Sequence, residues 1–228
     1  MATADPPQAS GNLGRPVLAT LMSSNLFNIS ILTRPSTPRT NFPPSLPIHV
    51  SDYSPSSLLT AFTNQDAVIS LIAGSAVLEQ KKMIDAAVQA GVKRFVVSEW
   101  GADTRNDRAR EVVSVFAKKV DVVQHARSRE GMGNGAFTWS AVVTGPWFDR
   151  SLRLGLLGFS IPNRHGLLHS SGSTPFTATT LSTVTRSLLY ILTTFVSTTK
   201  NRYIYLSSFT TTQNDILECL KRQTGAQG

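Results

Sequence analysis

Three observations predict an α/β protein with a Rossmann-like, doubly wound parallel sheet and a smaller lobe at its end. Apolar runs alternate with segments of helical period along the 228 residues, the pattern of successive βαβ units. A glycine-bearing turn, Ser10-Gly11-Asn12-Leu13-Gly14, opens a helical segment near the N-terminus. The central apolar run from Ala67 to Ile72 is continuous rather than alternating, as in strands covered on both faces. This reading places a sheet domain over residues 1–145 and a partial second lobe over 146–228, interleaved with the end of the sheet.

The elements follow in order. Gly14 to Ser24 reads as a helix with Pro16 in its first turn, where a missing amide proton does no harm. Asn28 to Thr33 is a strand, a proline-rich loop covers Arg34 to Pro47, and Ile48 to Val50 is a short strand. Pro55 to Thr63 is helical and Ala67 to Ile72 a buried strand. Leu78 to Ala90 has helical spacing through Met83, Ala86 and Ala87, and Gly91 stops it. Phe95 to Val97 is a strand, and one helix is expected from Arg108 to Arg129 before the loop Gly131 to Gly135. Thr138 to Val143 is the next strand. The pattern then loosens through Gly155, Gly158 and Pro162. Thr179 to Phe195 is an amphipathic helix, Tyr203 to Leu206 a strand, and Thr212 to Arg222 a final helix.

Composition narrows the function. Hydrophobic content of 41% and charged content of 16% can supply a buried core rather than a disordered chain. The lone Cys219 excludes an intrachain disulfide. With no run long enough to cross a bilayer and no secretory pattern at the N-terminus, the chain reads as cytoplasmic and not membrane-bound. The net charge of +8 is dispersed, its densest group being interrupted by Asp107, Glu111 and Asp121. No zinc-finger, RNA-binding or recognition-helix pattern accompanies it, which argues against specific nucleic-acid binding. His49, His125, His165 and His169 offer no pair at ligand spacing, so no metal site is expected.

The glycine turn points to a dinucleotide. Gly11 and Gly14 hold the second and third small positions of the fingerprint, for backbone approach to pyrophosphate and for helix packing, and Gln8 stands at the first. Arg34 closes the following strand, where an acidic residue would bind the ribose of NAD and an arginine suits the 2′-phosphate of NADP. The alternative is a solvated loop arginine. The strand that should feed the turn is not legible. Met1 to Ala9 carries Pro6 and Pro7, which lack the amide protons of a central strand. The strands from Asn28 and from Ala67 are therefore expected either to face each other across a gap or to pair directly, which would displace the turn.

The run Gly91-Val92-Lys93-Arg94-Phe95-Val96-Val97-Ser98-Glu99-Trp100-Gly101 closely resembles the Gly-Val-Lys-Arg-Phe-x-Pro-Ser-Glu-Phe-Gly element of the NmrA-like and isoflavone reductase-like family, atypical short-chain dehydrogenases. Val97 replaces the usual proline and Trp100 the usual phenylalanine. The glycine turn, Leu32-Thr33-Arg34, Gln80 and Thr144-Gly145-Pro146-Trp147-Phe148 resemble further positions of that family, and the likeness runs from about Ala9 to the end.

The resemblance implies an NADP(H)-binding protein that reduces a small conjugated or aromatic substrate. Gly11, Asn12, Leu13 and Gly14 would hold the pyrophosphate, Arg34 and Arg39 the 2′-phosphate, and Gln80, Ser98, Glu99 and Phe148 would line the cofactor. Lys119 aligns with the family lysine that touches the nicotinamide ribose and acts as general acid, with Lys118 as runner-up. No Tyr-x-x-x-Lys pair occurs, so a reductase here depends on a lysine-centred site. The family also implies two other possibilities, a non-catalytic nucleotide sensor acting on a protein partner and an inactive truncated paralogue. It further implies that the chain is short at both ends, with the extension that completes the lobe lying beyond the equivalent of Gly228.

Overall fold

Alternating burial along the strands sets the layers. In the computed structural model, which describes residues 11–72 and 74–225, strand β4 (Arg94–Val97) is buried throughout. Phe95 and Val97 point into one core and Val96 into another. The first core is completed by α2 (Pro55–Phe62), α3 (Gln80–Gln89) and α5 (Ser114–Ser128), through Leu58, Met83, Ile84 and Val122. The second is completed by α1 (Gly14–Ser24) and α7 (Leu181–Leu192), through Val17, Leu21, Val184 and Leu188. A sheet with helices on both faces is the doubly wound architecture read from the sequence.

The parallel strands fall into two groups. β3 (Ala67–Ile69), β4, β5 (Thr138–Val143) and β9 (Arg202–Tyr205) form a parallel sheet in the order β3-β4-β5-β9. β1 (Ile31–Thr33) pairs only with β2 (Ile48–Val50), also in parallel, with Ile31 opposite Ile48. Among the described residues no strand lies between β1 and β3. Of the two arrangements open to the sequence, direct pairing of β1 with β3 does not occur among the described residues. Gln8, Ser10 and the proline pair lie outside the described residues.

Several boundaries differ from the sequence reading. The strand expected from Asn28 starts at Ile31, where the Ile31 N–H first reaches the Pro47 carbonyl (2.9 Å). The helix expected over 108–129 is two, α4 (Asp107–Val112) and α5, broken at Val113, which has extended dihedrals. Val112 is 84% exposed, so the apolar pair at 112–113 mimics a helical period without facing a core.

The loosened region contains α6 (Phe148–Arg153), the hairpin β6 (Phe159–Ser160) and β7 (His165–Gly166), and β8 (Phe176–Ala178) paired antiparallel with β10 (Phe209–Thr211). α8 (Gln213–Thr224) follows, opened by a capping box between Thr212 and Asp215. No helix among the described residues is long and apolar enough to cross a membrane.

Candidate functional site

Ligands of open parallel sheets bind at the carboxyl ends of the strands, and the chemistry-bearing residues gather there. Leu13, the residue before α1, shares a core with Val96, Trp100, Val142 and Leu71, which sets the glycine turn over the ends of β3 and β4. Gly11 accepts from the Arg15 amide (3.1 Å) and Leu13 from the Val17 amide (3.0 Å), while Asn12 stays exposed between them. Arg34 directly follows β1 and is half-buried, and Arg39 is exposed on the short 3₁₀ turn Arg39–Asn41.

The end of β4 is held from below. Gln80 is fully buried, donates to the Val77 carbonyl (3.1 Å) and accepts from the Ser98 amide (2.9 Å). The Ser98 hydroxyl donates to the Ile72 carbonyl (2.6 Å). Both side chains are thus engaged inside the fold and fix the backbone that follows. Trp100 sits in the left-handed region with φ 41°, uncommon for a bulky residue. Its indole N–H reaches the Ser70 carbonyl (2.9 Å), and its amide reaches the Val142 carbonyl (2.9 Å).

This turn drives Glu99 inward. Glu99 is fully buried, and its Oε2 accepts from the Thr104 hydroxyl (3.0 Å). The loop carrying Thr104 is pinned over it: Tyr205 donates to Asp103 (2.7 Å), and the Arg105 guanidinium lies 4.5 Å over the Tyr203 ring. Lys119 projects from α5 and donates from Nζ to the Glu99 carbonyl oxygen, while Lys118 is exposed. The helical register therefore separates two lysines that adjoin in sequence.

Burial and charge act against each other here. Desolvation pushes the Glu99 carboxyl up to about 7, opposed by the Lys119 charge and the Thr104 hydrogen bond. Desolvation also lowers Lys119 below the ordinary lysine range, opposed by Glu99. Burial, and after it the Glu99 charge, raises the Tyr203 phenol to about 12. The sign for stability follows from proton counting. Glu99 ionises from 4.5 in its ordinary state but only near 7 in the fold, so the fold holds the extra proton between those values. Its contribution is present below about 4.5 and is lost as pH rises through 7. Urea melts of the wild type should lose stability from pH 5 to pH 8, and the loss should shrink in Glu99→Gln.

The site has unmet polar atoms suited to a nucleotide. Among the described residues, three buried side-chain oxygens have no hydrogen-bond partner: Thr33 Oγ1, Ser70 Oγ and Glu99 Oε1. They sit at the carboxyl ends of β1, β3 and β4. Buried polar atoms are normally satisfied, so three orphans along one edge fit a ligand rich in hydroxyls and phosphates. Sequence reasoning named Thr33 only within the run Leu32-Thr33-Arg34 and missed Ser70, whose only signal was a position just beyond a strand end, and Thr104, which gave none. After β5, Thr144-Gly145-Pro146-Trp147 turns back along the same edge. Gly145 has φ +61°, and a Cβ there would come within 2.8 Å of the Thr177 carbonyl oxygen. Phe148 then opens α6, edge-on to Phe209 at 4.9 Å.

The chain is 36% identical over 222 residues to the oxidoreductase aprR of Aspergillus flavus, covering 96% of this chain and 73% of that protein. It is 43% identical over 68 residues to the isoflavone reductase homolog A622 of Nicotiana tabacum, covering 29% of this chain and 22% of that one. Among solved structures it resembles AtPrR2 with NADP+ and (+)pinoresinol, with a TM-score of 0.79 at 16% identity over 96% of this chain and 74% of that one. The triphenylmethane reductase of Citrobacter sp. complexed with NADP(H) gives 0.73 at 18% identity, over 96% and 75%. At those identities the structures establish the fold. The model of the NmrA-like family matches residues 8–227, and the chain belongs to that family.

Proposed function

We propose that the chain binds NADP(H) along the carboxyl edge of its sheet and catalyses NADPH-dependent reduction of a small conjugated or aromatic acceptor. The observation that supports this best is Lys119, an inward-facing amine held on the Glu99 carbonyl, with burial lowering its hold on a proton. A general acid needs that combination of position and reduced basicity. The turn from Gly11 to Gly14 would offer backbone amides at the start of α1 to the pyrophosphate. Arg34 would face the 2′-phosphate, with Arg39 adding charge. Gln80 and Ser98 act by fixing the end of β4, and Phe148 offers an aromatic face beside the turn after β5. NADPH, when bound, supplies a hydride to one acceptor atom. Lys119 delivers the proton to the atom that becomes electron-rich, and the nearby Glu99 carboxyl sets how readily the amine gives it up.

Calorimetric titration tests the cofactor assignment. NADPH should bind tighter than NADH, and Arg34→Ala should weaken NADPH by about 10- to 100-fold, the range for a charge-assisted contact, with NADH little affected. Equal loss for both nucleotides, or no binding to folded protein, would overturn it. The exposed Leu154, Leu156 and Leu167 of the second lobe favour another reading, a nucleotide sensor that docks a protein partner. Tight NADPH binding with no oxidation across a panel of conjugated acceptors would select that reading. Both readings place the chain in the cytoplasm, where the exposed Cys219 stays reduced.

A further inference from the structure

Among the described residues Glu99 is the only buried acid. Its two carboxyl oxygens have different surroundings. Oε2 accepts from the Thr104 hydroxyl at 3.0 Å, while Oε1 has no partner. An ionised carboxylate leaves that second oxygen as an unmet acceptor, whereas a carboxylic acid has a proton to give from it. Lys119 is the charged group that acts most strongly on this carboxyl, and its Nζ already rests on the carbonyl oxygen of the same residue.

A line of hydroxyls continues on the other side of the carboxyl. Thr104 has a single hydroxyl proton, which it gives to Glu99, so its lone pairs are left for another donor. The Tyr203 phenol, on β9, is the hydrogen-bonding neighbour of that hydroxyl. Tyr203 is half-buried, with Trp139 edge-on to its ring and the Arg105 guanidinium over its face. Arg105 pairs with Asp103 at 3.1 Å, and both side chains reach solvent. The line therefore starts beneath a solvated ion pair and ends at Glu99. The groups that bear on Glu99 are Lys119 from α5, Asp103 and Arg105 from the covering loop, and the Tyr203 phenol from β9. Because burial holds its proton on to about 12, Tyr203 passes a proton in neutral solution without resting as an anion.

We propose that Tyr203, Thr104 and Glu99 form a proton relay that reloads Lys119 from within the fold, a role that rests on the reductase reading. In each turnover the Lys119 ammonium gives one proton to the acceptor and becomes an amine. The Glu99 carboxylic acid gives its proton to that amine, across one hydrogen bond or one water, and becomes a carboxylate. The carboxylate takes the Thr104 hydroxyl proton as Thr104 takes that of Tyr203 and Tyr203 takes one from solvent. One proton enters for each one delivered, and no electrons move along the line. A bound nucleotide and acceptor would cover the open edge of the site, so this inner supply lets the lysine recover before the products leave. The three residues act through Lys119 and do not touch the acceptor.

Rapid-mixing kinetics of NADPH oxidation, with a panel of conjugated aldehydes and quinones, test the relay. Tyr203→Phe keeps the ring and its packing, and Thr104→Val keeps the shape of the side chain. Both should show a first turnover at the wild-type rate, followed by a steady rate slower by about tenfold or more. Thr104→Ser should restore the steady rate, and added imidazole, a small acid in neutral solution, should speed Tyr203→Phe and Thr104→Val. A slowed first turnover, an undiminished steady rate in both variants, or no response to imidazole would overturn the relay and leave Lys119 as the acid. A second measurement needs no turnover: acetic anhydride labelling of the Lys119 amine across the neutral range, read by mass spectrometry. Glu99→Gln should change that profile and Tyr203→Phe should not, since a relay member alters rate and not equilibrium. Identical profiles in wild type and Glu99→Gln would also overturn the relay. Wild-type protein that oxidises NADPH with no acceptor of the panel overturns the reductase reading, and the relay with it.

Discussion

Lys119→Met should lower NADPH-dependent turnover by about 10²- to 10⁴-fold, the usual contribution of a positioned general acid. Nucleotide affinity and melting temperature should change little. Methionine keeps an unbranched apolar stem one atom shorter than the lysine side chain, so the environment of Val122 and Val123 on the same helix is preserved. What disappears is the proton donor on the Glu99 carbonyl. Lys119→Arg should not rescue, since a guanidinium retains its proton through the working range. Stopped-time assays of NADPH oxidation with a conjugated acceptor check the first point, and calorimetry and melts check the second. Undiminished turnover in Lys119→Met would remove the lysine from the mechanism. A matching loss in Lys118→Met, the exposed neighbour, would mean that the register had been misassigned.

The largest stability effect should come from Arg94. Its guanidinium is buried at 5% exposure. It donates to the Thr138 hydroxyl (2.9 Å), the Ser140 hydroxyl (2.8 Å), the Thr199 hydroxyl (3.2 Å) and the Val196 carbonyl (2.5 Å). These acceptors lie on β5 and on the segment between α7 and β9, so one side chain of β4 ties two strands and that connection together. Among the described residues no carboxylate pairs with it, and burial lowers its pKa accordingly. Arg94→Ala leaves the buried Ser140 acceptor and three part-buried ones unmet, a fully buried one costing about 1–3 kcal/mol and the others less. A total loss of about 3 kcal/mol or more is expected in urea unfolding, with a lower midpoint and a similar slope. A loss under about 1 kcal/mol, the level of an ordinary surface change, would show that water replaces the guanidinium without strain.

Much of the architecture was legible because local rules and the global fold agree. α1 begins and ends where Pro16 and the helical spacing placed it, and β5 spans Thr138–Val143 as read. What escaped was held by distant partners. β8 exists through its pairing with β10 across more than thirty residues, and neither three-residue strand carries a period of its own. The same division runs through the site. That Lys119 turns inward while Lys118 stays exposed was readable from register, and so was the position of the polar run at the carboxyl end of β4. The burial of Glu99 was not, because it needs Thr104, Tyr203 and Tyr205 brought over it by the fold. Gln80 and Ser98 were read as cofactor contacts from resemblance; that their side chains also brace the backbone at the end of β4 was not legible, because the partners Val77 and Ile72 come together only in the fold.

The split sheet also divides the molecule's cooperativity. The β1–β2 pair rests on a small core of Leu18, Ile31 and Phe42, while the four-stranded sheet holds the larger clusters on both its faces. Units with few buried contacts open sub-globally at lower free energy than the rest. Arg34 and Arg39 ride on the weaker unit, and Lys119 and Glu99 on the stronger. A ligand gripping both would act as a tether between two foldons, so that its binding free energy is partly spent on suppressing local opening of the phosphate-binding half.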